Sequence, residues 1–238
     1  MYERLKKRFP NVVFENCAGG GGRTDLGLMR AFSHTWVSDR QIAPRSFMIT
    51  NGMTEQATRH AQHNVAVIGK AVAEGRKVVT TSSSCTLTIR EEYPNLLGVD
   101  NAAVRDSLMI ATRFVFEKLE RGATLRFRPD FHKKVAYHTP CHMEKLGWGV
   151  FSEKILRMIP GVEFTLLDSN CCGIAGTYGF KKENYAASQA IGAPLFDQIR
   201  TINPDVVACD CETCKWQIEM STGYTVSNPI SILAEALE

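Results

Sequence analysis

Cysteines carry most of the chemistry that this sequence offers. Six of the eight cysteines lie in the C-terminal part of the chain, where they form three groups. Cysteine thiolates are ligands of zinc and of iron–sulfur clusters, so grouped cysteines predict a metal centre. The groups are Cys141, the pair Cys171-Cys172, and the motif Cys211-x-x-Cys214 with Cys209 just before it.

A short apolar run precedes each group and predicts a β-strand. The runs are residues 135–137, 162–167 and 206–208. In a parallel α/β sheet the carboxyl ends of the strands share one edge, and ligands bind there. We therefore expect the cysteines that follow these strands to meet at that edge as the ligands of one metal or iron–sulfur centre. The expected ligands are Cys141, Cys171, Cys172, Cys211 and Cys214.

Packing and disulfide bonding are two simpler explanations of these cysteines. A free cysteine packs as a small hydrophobic side chain, but a Cys-Cys pair and a Cys-x-x-Cys motif at strand ends are hard to explain by packing. No N-terminal apolar segment resembles a signal sequence, which predicts a cytoplasmic, reducing location. Cysteine clusters in such a location are more often metal-binding or catalytic than disulfide-bonded. Thiolates suit both zinc and iron, so both metals stay open at this point.

Three further side chains near the five expected ligands are weaker candidates for metal ligands. Cys209 and Cys211 are two residues apart next to a predicted strand, so they share one face. We expect Cys209 to be an accessory thiol rather than a primary ligand. His138 and His142 flank Cys141, and the expectation for both is a structural histidine with satisfied hydrogen bonds, with metal ligation as the alternative.

Helical patterns lie between the predicted strands. Apolar stripes predict helices over residues 103–119 and 184–202, and Pro194 predicts a kink or a break in the second. Another helix is predicted to start directly at the Cys-x-x-Cys motif. Because the N-terminal end of a helix dipole stabilises negative charge, we expect Cys211 and Cys214 to be held as thiolates.

Residues 52–85 repeat the pattern of residues 179–214. Each segment runs from a glycine through a helix and a strand to a four-residue motif. Ser82 stands in the first motif where Cys211 stands in the second, so the first copy has lost ligands. Cys85 is then either a leftover thiol or an additional outer ligand of the centre.

The composition excludes several classes of protein. The 238 residues carry a net charge of +3, from 28 basic and 25 acidic side chains. This balance argues against a nucleic-acid-binding protein or one that binds an anionic membrane surface. No apolar run approaches the length of a membrane span.

Three stretches resemble the cysteine-rich CCG family, and within it the electron-transfer subunits of anaerobic glycerol-3-phosphate dehydrogenases. They are YHTPCHMEKLGWG, DSNCCGIAGTYGFKKENY and DCETCKWQIEMS, and the resemblance covers residues 54–238. It implies an α/β fold of two β-α modules with parallel sheets flanked by helices. The first module, residues 54–130, would be incomplete, and the second, residues 131–238, would hold the cysteine cluster.

The CCG resemblance also implies a function. The chain is expected to relay electrons through an iron–sulfur cluster, from a flavin-containing dehydrogenase subunit towards a quinone or another membrane-associated acceptor. The ferredoxin-like cysteine runs and a flavin site are absent from the sequence, so we expect one component of an oxidoreductase complex, without catalysis of its own. It would lie in the cytoplasm or, through its partners, at the inner membrane. The alternative is a structural or interaction module that binds zinc with the same thiolates.

Residues 1–53 resemble a different family, the α-galactosidases of glycoside hydrolase family 36. The stretches are FENCAGGGGRTDLG and HTWVSDR. The nucleophile motif Lys-Trp-Asp of that family is absent, and retaining glycosidases need two carboxylates, so this segment is expected to be inert. Two interpretations remain, a chimera joined near residues 51–54 or a natural CCG protein with a divergent start. The resemblance implies a sugar-pocket loop and an acid/base catalyst, which are Cys17, Gly20, Gly21 and Arg23 for the loop and Asp39 for the catalyst.

Overall fold

The computed structural model describes residues 15–17, 34–36, 43–176 and 178–238, with side chains from Thr54 onward. Contacts divide the chain into two units, residues 1–60 and 61–238. In the first unit, strand β1 (Glu15–Cys17) pairs in parallel with β2 (His34–Trp36). The expected module boundary near residue 130 lies inside the second unit and stays a prediction.

Helices and strands alternate along the rest of the described chain, as an α/β fold requires. The longest helix is α1, and the strands are short. The elements are α1 (Ala43–Ala73), β3 (Val78–Thr80), α2 (Ser83–Leu87), a π-helical turn (Thr88–Glu92), α3 (Tyr93–Leu97), α4 (Ala102–Arg105), β4 (Leu108–Ile110), α5 (Ala111–Glu120), β5 (Lys133–His138), α6 (Cys141–Leu146), α7 (Gly149–Arg157), β6 (Val162–Leu166), two 3₁₀ turns (Tyr178–Phe180 and Lys182–Asn184), α8 (Tyr185–Ile202), β7 (Val206–Cys209), α9 (Glu212–Thr222), β8 (Val226–Ser227) and α10 (Pro229–Ala236).

The main sheet has the strand order β6-β5-β7-β8, with every pair parallel. Its three longest strands coincide with the three apolar runs, so the prediction of a parallel sheet flanked by helices is confirmed. Apolar side chains on both faces pack beneath helices, since β5 and β7 contribute to two separate hydrophobic clusters. Parallel strands need this burial on both faces. The carboxyl ends of β5, β6 and β7 therefore form one edge, and every predicted ligand follows one of these ends.

A second parallel sheet, β3 with β4, corrects the prediction of one helix over residues 103–119. Leu108, Met109 and Ile110 are each less than 5 % exposed. Three consecutive buried residues suit a short strand covered on both faces. The apolar stripe extended through this strand and joined two separate helices, α4 and α5, into a single periodic pattern.

The strand–motif–helix repeat has a counterpart in the backbone. Ser82 is the N-cap of α2 after β3, and Cys211 is the N-cap of α9 after β7, both with extended backbone angles. The two motifs lie side by side, because the Ser83 backbone N–H donates to the Asp210 carbonyl oxygen over 2.9 Å. The pattern in the sequence therefore corresponds to two similar turns in contact.

Pro194 does not break helix α8, which runs without interruption over Tyr185–Ile202. A proline inside a helix costs about 3 kcal/mol. Residues on both sides of it, including Ser188, Leu195 and Ile199, are fully buried. Tertiary packing of this helical face offsets the cost, as is usual for helices in proteins. Among the described residues, no helix is long and apolar enough to cross a membrane.

A buried carboxylate lies beneath the sheet edge. Asp210 is fully buried and accepts hydrogen bonds from Tyr137 Oη at 2.7 Å and Ser152 Oγ at 3.1 Å. Ser152 Oγ is also 2.9 Å from Thr112 Oγ1. Burial raises the pKa of Asp210 to about 6, although the two hydrogen bonds oppose this effect. The folded chain therefore holds the Asp210 proton more tightly than the unfolded chain does.

We expect the free energy of unfolding to depend on pH through the protonation of Asp210. A raised pKa stabilises the fold fully below the ordinary Asp value near 4, and the stabilisation is lost as the pH rises through about 6. Asp210→Asn has no such titration. Between pH 4 and pH 7 the metal-free variant should therefore gain about 2–2.5 kcal/mol relative to the wild type. Urea unfolding of both chains across this range is the measurement, and a pH-independent difference would contradict it.

Candidate metal centre

A cavity of about 250 Å³ opens at the carboxyl edge of the main sheet. It lies where β5 ends and α6 begins, beside the loop after β6 and the first turn of α9. Four of the five expected ligands line it, and the fifth, Cys211, is the residue that caps α9. The structure therefore brings three distant cysteine segments together. The lining residues are His138, Thr139, Cys141, Glu144, Ser169, Asn170, Cys171, Cys172 and Cys214.

The cysteines differ in depth. Cys141 and Cys171 are exposed, whereas Cys172, Cys211 and Cys214 are buried. The sulfur atoms of Cys172 and Cys214 are 3.3 Å apart. The Cys171 sulfur accepts a hydrogen bond from the Gly173 backbone N–H over 3.3 Å. The thiols therefore lie at different depths, from the solvent-exposed side of the cavity to its buried inner end.

Gly173 is the residue that lets the Cys-Cys loop pass close to helix α8. Its φ is +86°, and a Cβ atom built on it would lie 2.0 Å from the Ser188 carbonyl oxygen. The Ser188 hydroxyl donates to the Gly173 carbonyl oxygen at 2.9 Å and accepts from Gln217 Nε2 at 2.8 Å. These contacts fix the position of Cys171 and Cys172 relative to α8 and α9.

The thiols do not share one protonation state. Hydrogen bonding from Cys214, with further help from Thr213 and Ser84, lowers the pKa of Cys211 to about 5, although burial opposes it. A hydrogen bond with Cys172 lowers the pKa of Cys214, but hydrogen bonds with Cys209 and Cys211 and burial outweigh it, so the pKa of Cys214 is raised. The prediction of a thiolate at the start of the helix agrees with the lowered pKa of Cys211. It is wrong for Cys214 in the metal-free chain.

Cys172 and the two exposed thiols are also held protonated. A hydrogen bond with Cys171 lowers the pKa of Cys172. The hydrogen bond with Cys214 and burial outweigh this effect, so the pKa of Cys172 is raised to about 12. The hydrogen bond with Cys172 and burial raise the pKa of Cys171. Burial raises the pKa of Cys141 as well. Since a metal ligand must be a thiolate, metal binding to this set releases protons.

His138 and Cys209 are closer to the centre than sequence reasoning placed them. They lie opposite each other on β5 and β7, and one ligand atom each from His138, Cys209 and Cys214 lie within 4.8 Å of one another. Among the described residues, the buried His138 Nδ1 has no hydrogen-bond partner, and burial lowers the His138 pKa to about 4, so the ring is neutral. The expectation of a histidine with satisfied hydrogen bonds is therefore wrong for His138 at this nitrogen, whereas His142 Nδ1 lies 2.8 Å from Ser84 Oγ. Cross-strand register, which the sequence does not show, puts these two residues together.

The first motif contributes hydroxyl groups to the edge of this centre. Ser84 Oγ lies 2.8 Å from His142 Nδ1 and 3.8 Å from Cys211 Sγ. Ser82 Oγ donates to Glu212 Oε2 at 2.7 Å. Cys85 is exposed and does not line the cavity. The segment that lost a cysteine at position 82 therefore contacts the ligand motif through its serines.

Comparison with known proteins finds a family model that matches this part of the chain. Residues 135–219 match the family model CCG, described as a cysteine-rich domain. Over this segment the chain is similar to the CCG cysteine-rich family. All five expected ligands lie inside the matched residues, together with His138 and Cys209.

Curated relatives extend the similarity beyond that segment. The chain is 56 % identical over 191 residues to a subunit of the anaerobic glycerol-3-phosphate dehydrogenase of Escherichia coli K12, covering 80 % of this chain and 48 % of the relative. It is 28 % identical over 248 aligned positions to a subunit of the dihydromethanophenazine:CoB–CoM heterodisulfide reductase of Methanosarcina acetivorans, covering 95 % and 58 %. It is 24 % identical over 214 residues to an uncharacterized iron–sulfur protein of Methanocaldococcus jannaschii, covering 84 % and 40 %. The chain spans about half the length of these relatives.

The N-terminal resemblance is confirmed as well, because residues 1–70 match the family model Melibiase. Of the residues that the resemblance implied, the backbone of Cys17 is described in β1. Gly20, Gly21, Arg23 and Asp39 lie outside the described residues.

We expect no α-galactosidase activity from this chain. Retaining hydrolysis needs a nucleophilic carboxylate about 5 Å from the acid/base carboxylate, and the Lys-Trp-Asp motif that would supply it is absent. Release of chromophore from an aryl α-galactoside should equal the rate without protein. Asp39→Asn is the matched control. Hydrolysis above background that disappears in Asp39→Asn would contradict this prediction.

Proposed function

We propose that this chain is an electron-transfer module that holds one iron–sulfur cluster with Cys141, Cys171, Cys172, Cys211 and Cys214. The observation that carries the proposal is the cavity at the sheet edge, which four of these cysteines line and the fifth adjoins. One relative is named as an iron–sulfur protein, which supports the type of cofactor. Residues 54–130 are then an incomplete first CCG module, and residues 131–238 are the module that holds the cluster.

The cavity has a suitable size for such a group. Its volume of about 250 Å³ is far larger than the roughly 10–15 Å³ that a cavity needs to hold one water molecule, so it exceeds a single ion. It is smaller than the ~300–1,000 Å³ of pockets that bind organic ligands. A compact inorganic cluster falls between these limits. Four thiolates complete the usual ligand set of an iron–sulfur cluster, and the proposed set provides one more.

A bound cluster would supply the ability to take up and release one electron at a time. The protein residues do the rest. The buried thiols Cys172, Cys211 and Cys214 keep the inner side of the site away from water. Gly173 holds the Cys-Cys loop against α8. Exposure of Cys141 and Cys171 leaves one side of the centre near the surface, where an electron donor or acceptor can approach.

The names of the relatives support a proposal about the partners. One relative is named as part of an anaerobic glycerol-3-phosphate dehydrogenase, and another as part of a heterodisulfide reductase. We infer that this chain works beside a flavin-containing dehydrogenase subunit in the cytoplasm and passes electrons towards a quinone at the membrane. On this proposal it belongs to an oxidoreductase complex and has no catalytic activity alone.

A two-step redox experiment tests this function. The chain is reconstituted anaerobically with iron and sulfide and mixed with a reduced flavoprotein dehydrogenase, and the visible absorption of the centre is followed. We expect the absorption to bleach and then to return when a water-soluble quinone is added. The metal-free chain is the control. A centre that forms but is not reduced by the flavoprotein, or is not reoxidised by the quinone, would contradict the electron-relay proposal.

Ser84 provides a prediction about the reduction potential. With Cys211 as a thiolate, His142 Nδ1–H donates to Ser84 Oγ, and Ser84 donates to the Cys211 sulfur at 3.8 Å. Hydrogen bonds to ligand sulfurs stabilise the more negative, reduced state. Loss of one bond, about 1 kcal/mol, corresponds to about 40 mV for one electron.

We therefore expect Ser84→Ala to lower the midpoint potential by about 40 mV in a redox titration. Ser83→Ala is the matched control, because Ser83 Oγ is buried without a hydrogen-bond partner among the described residues. An unchanged potential in Ser84→Ala, or an equal shift in Ser83→Ala, would show that the hydroxyl does not act on the ligand.

A further inference from the structure

Helix α6, which begins at the expected ligand Cys141, packs against the first module. Trp148, just after the helix, is buried in one hydrophobic cluster with Ile110 of strand β4. At the start of the helix, Ser84 Oγ lies 2.8 Å from His142 Nδ1. The first module therefore contacts both ends of α6, although it supplies none of the five expected ligands.

Two arginine side chains of the first module lie over the ring of Trp148. The Arg90 guanidinium is 4.9 Å and the Arg113 guanidinium is 4.8 Å from the centre of this ring. A cation over an aromatic face is attracted to it, and the attraction is stronger where water is excluded. Trp148 is 8 % exposed, so its ring is largely shielded from water. These contacts hold the turn between α6 and α7 against the first module.

The π-helical turn Thr88–Glu92 fixes Arg90 in this position. Asn101, which is 4 % exposed, donates from Nδ2 to the Arg90 carbonyl oxygen at 2.9 Å. The Arg90 side chain donates from Nη1 to the carbonyl oxygens of Arg105 and Leu108. Turns of this kind frequently occur at functional sites. Arg90 is therefore held both at its backbone and at its guanidinium group.

The turn at Trp148 lies beside the residues that precede Cys141. The Trp148 backbone N–H donates to the Met143 carbonyl oxygen at 3.1 Å, at the end of α6. A Cβ atom built on Gly149 would lie 2.9 Å from Thr139 Cγ2, so the turn packs directly against Thr139. Thr139 lines the cavity and comes two residues before Cys141. A movement of Trp148 would therefore displace the backbone that carries Cys141.

We propose that Arg90, Arg113 and Trp148 are positioning residues, which form a clamp on the turn after α6 and thereby hold Cys141 at the proposed cluster. The inference rests on the proposed function, because it treats Cys141 as a cluster ligand. It gives the first module a role, since a module that has lost ligands of its own fixes a ligand of the second module. Cys171, the other exposed ligand, lies in a different segment, the loop after β6, and provides an internal reference.

Alkylation of the reconstituted chain with iodoacetamide tests the clamp, because a coordinated thiolate is protected. The two exposed ligands lie on different tryptic peptides, which are residues 135–145 for Cys141 and residues 158–181 for Cys171. In Arg90→Met we expect alkylation of Cys141 to be about five- to tenfold faster than in the wild type, because a contact that keeps this end of α6 in place is lost. The rate at Cys171 should not change.

Arg105→Met is the matched control. Arg105 is a neighbouring arginine that pairs with Glu91 at 2.7 Å. Within the described part of the chain it does not lie over the Trp148 ring, so this variant should be alkylated as the wild type is. Trp148→Leu removes the ring but keeps an apolar side chain, and it should repeat the selective effect of Arg90→Met.

Three alkylation results would overturn the clamp. Equal acceleration at Cys141 and Cys171 in Arg90→Met would mean that the whole fold is loosened. An unchanged rate at Cys141 in that variant, or the same selective effect in Arg105→Met, would mean that the contact with Trp148 positions nothing.

Hydrogen–deuterium exchange of the metal-free chain provides a readout that does not need the cluster. For Arg90→Met we expect faster amide exchange in α6 and unchanged exchange in α9. No change in α6, or an equal increase in both helices, would contradict the clamp. If the wild type binds no iron, the proposed function fails, whereas this exchange measurement still decides whether the clamp holds α6.

Discussion

After anaerobic reconstitution with iron and sulfide, chains carrying Cys172→Ser or Cys214→Ser are expected to retain almost no iron. Both sulfurs line the cavity and are 3.3 Å apart. Although four thiols of the set remain in either variant, the exposed Cys141 and Cys171 cannot take the place of a ligand at the buried inner end. Serine cannot replace it, because its hydroxyl is a hard, protonated group and iron–sulfur clusters are held by thiolates. Iron content per chain and visible absorption, measured after desalting, are the readouts.

Cys85→Ser is the matched control for these variants. Cys85 occupies the position in the first motif that Cys214 occupies in the second, yet it is exposed and does not line the cavity. It should retain iron as the wild type does. Full iron retention in Cys172→Ser, or loss of the centre in Cys85→Ser, would contradict the proposed ligand set.

Of the two glycines in the Cys-Cys loop that have positive φ, Gly173 is expected to destabilise the fold more when it is replaced with alanine. A left-handed backbone costs a residue with a side chain about 1–2 kcal/mol, and the new Cβ would lie 2.0 Å from the Ser188 carbonyl oxygen. Relief of that contact requires the loop to move away from α8, at about 1–3 kcal/mol more. We therefore expect a loss of about 2–5 kcal/mol in the free energy of unfolding, together with loss of the centre.

Gly176→Ala separates the close contact from the backbone conformation. Gly176 lies in the same loop with a φ of +67°, but among the described residues no atom beyond its own chain neighbours lies within 4 Å of the position of its Cβ. It should therefore lose only about 1–2 kcal/mol and keep the centre. Equal losses in the two variants, measured by urea unfolding of the metal-free chains, would mean that the contact with Ser188 does not hold the loop.

The sequence predicted those parts of the fold that local patterns determine. The apolar runs before the cysteines correspond to β5, β6 and β7, and the order of strands and helices predicted the parallel sheet. The cysteines converge because they follow the ends of parallel strands. Prediction was wrong for residues 103–119, where the buried strand β4 continues the apolar stripe between two helices. Periodicity cannot distinguish a short buried strand from a buried helical turn.

Features that depend on contacts between distant residues were not predicted. The sequence shows His138 and Cys209 far apart in the chain, and only the pairing of β5 with β7 puts them opposite each other. The charge state of the thiols depends on the same kind of contact. Cys211 and Cys214 share one helix start, yet their pKa values move in opposite directions because their hydrogen-bond partners differ.

Metal analysis of the anaerobically purified and reconstituted chain tests the central proposal most directly. Iron, acid-labile sulfide and zinc are measured per chain, with the visible spectrum of the same sample. A single cubane centre of four iron and four sulfide ions predicts a brown protein with about four of each per chain and little zinc. A colourless protein that carries one zinc per chain after this treatment, or about eight iron per chain, would contradict the proposal of one iron–sulfur centre.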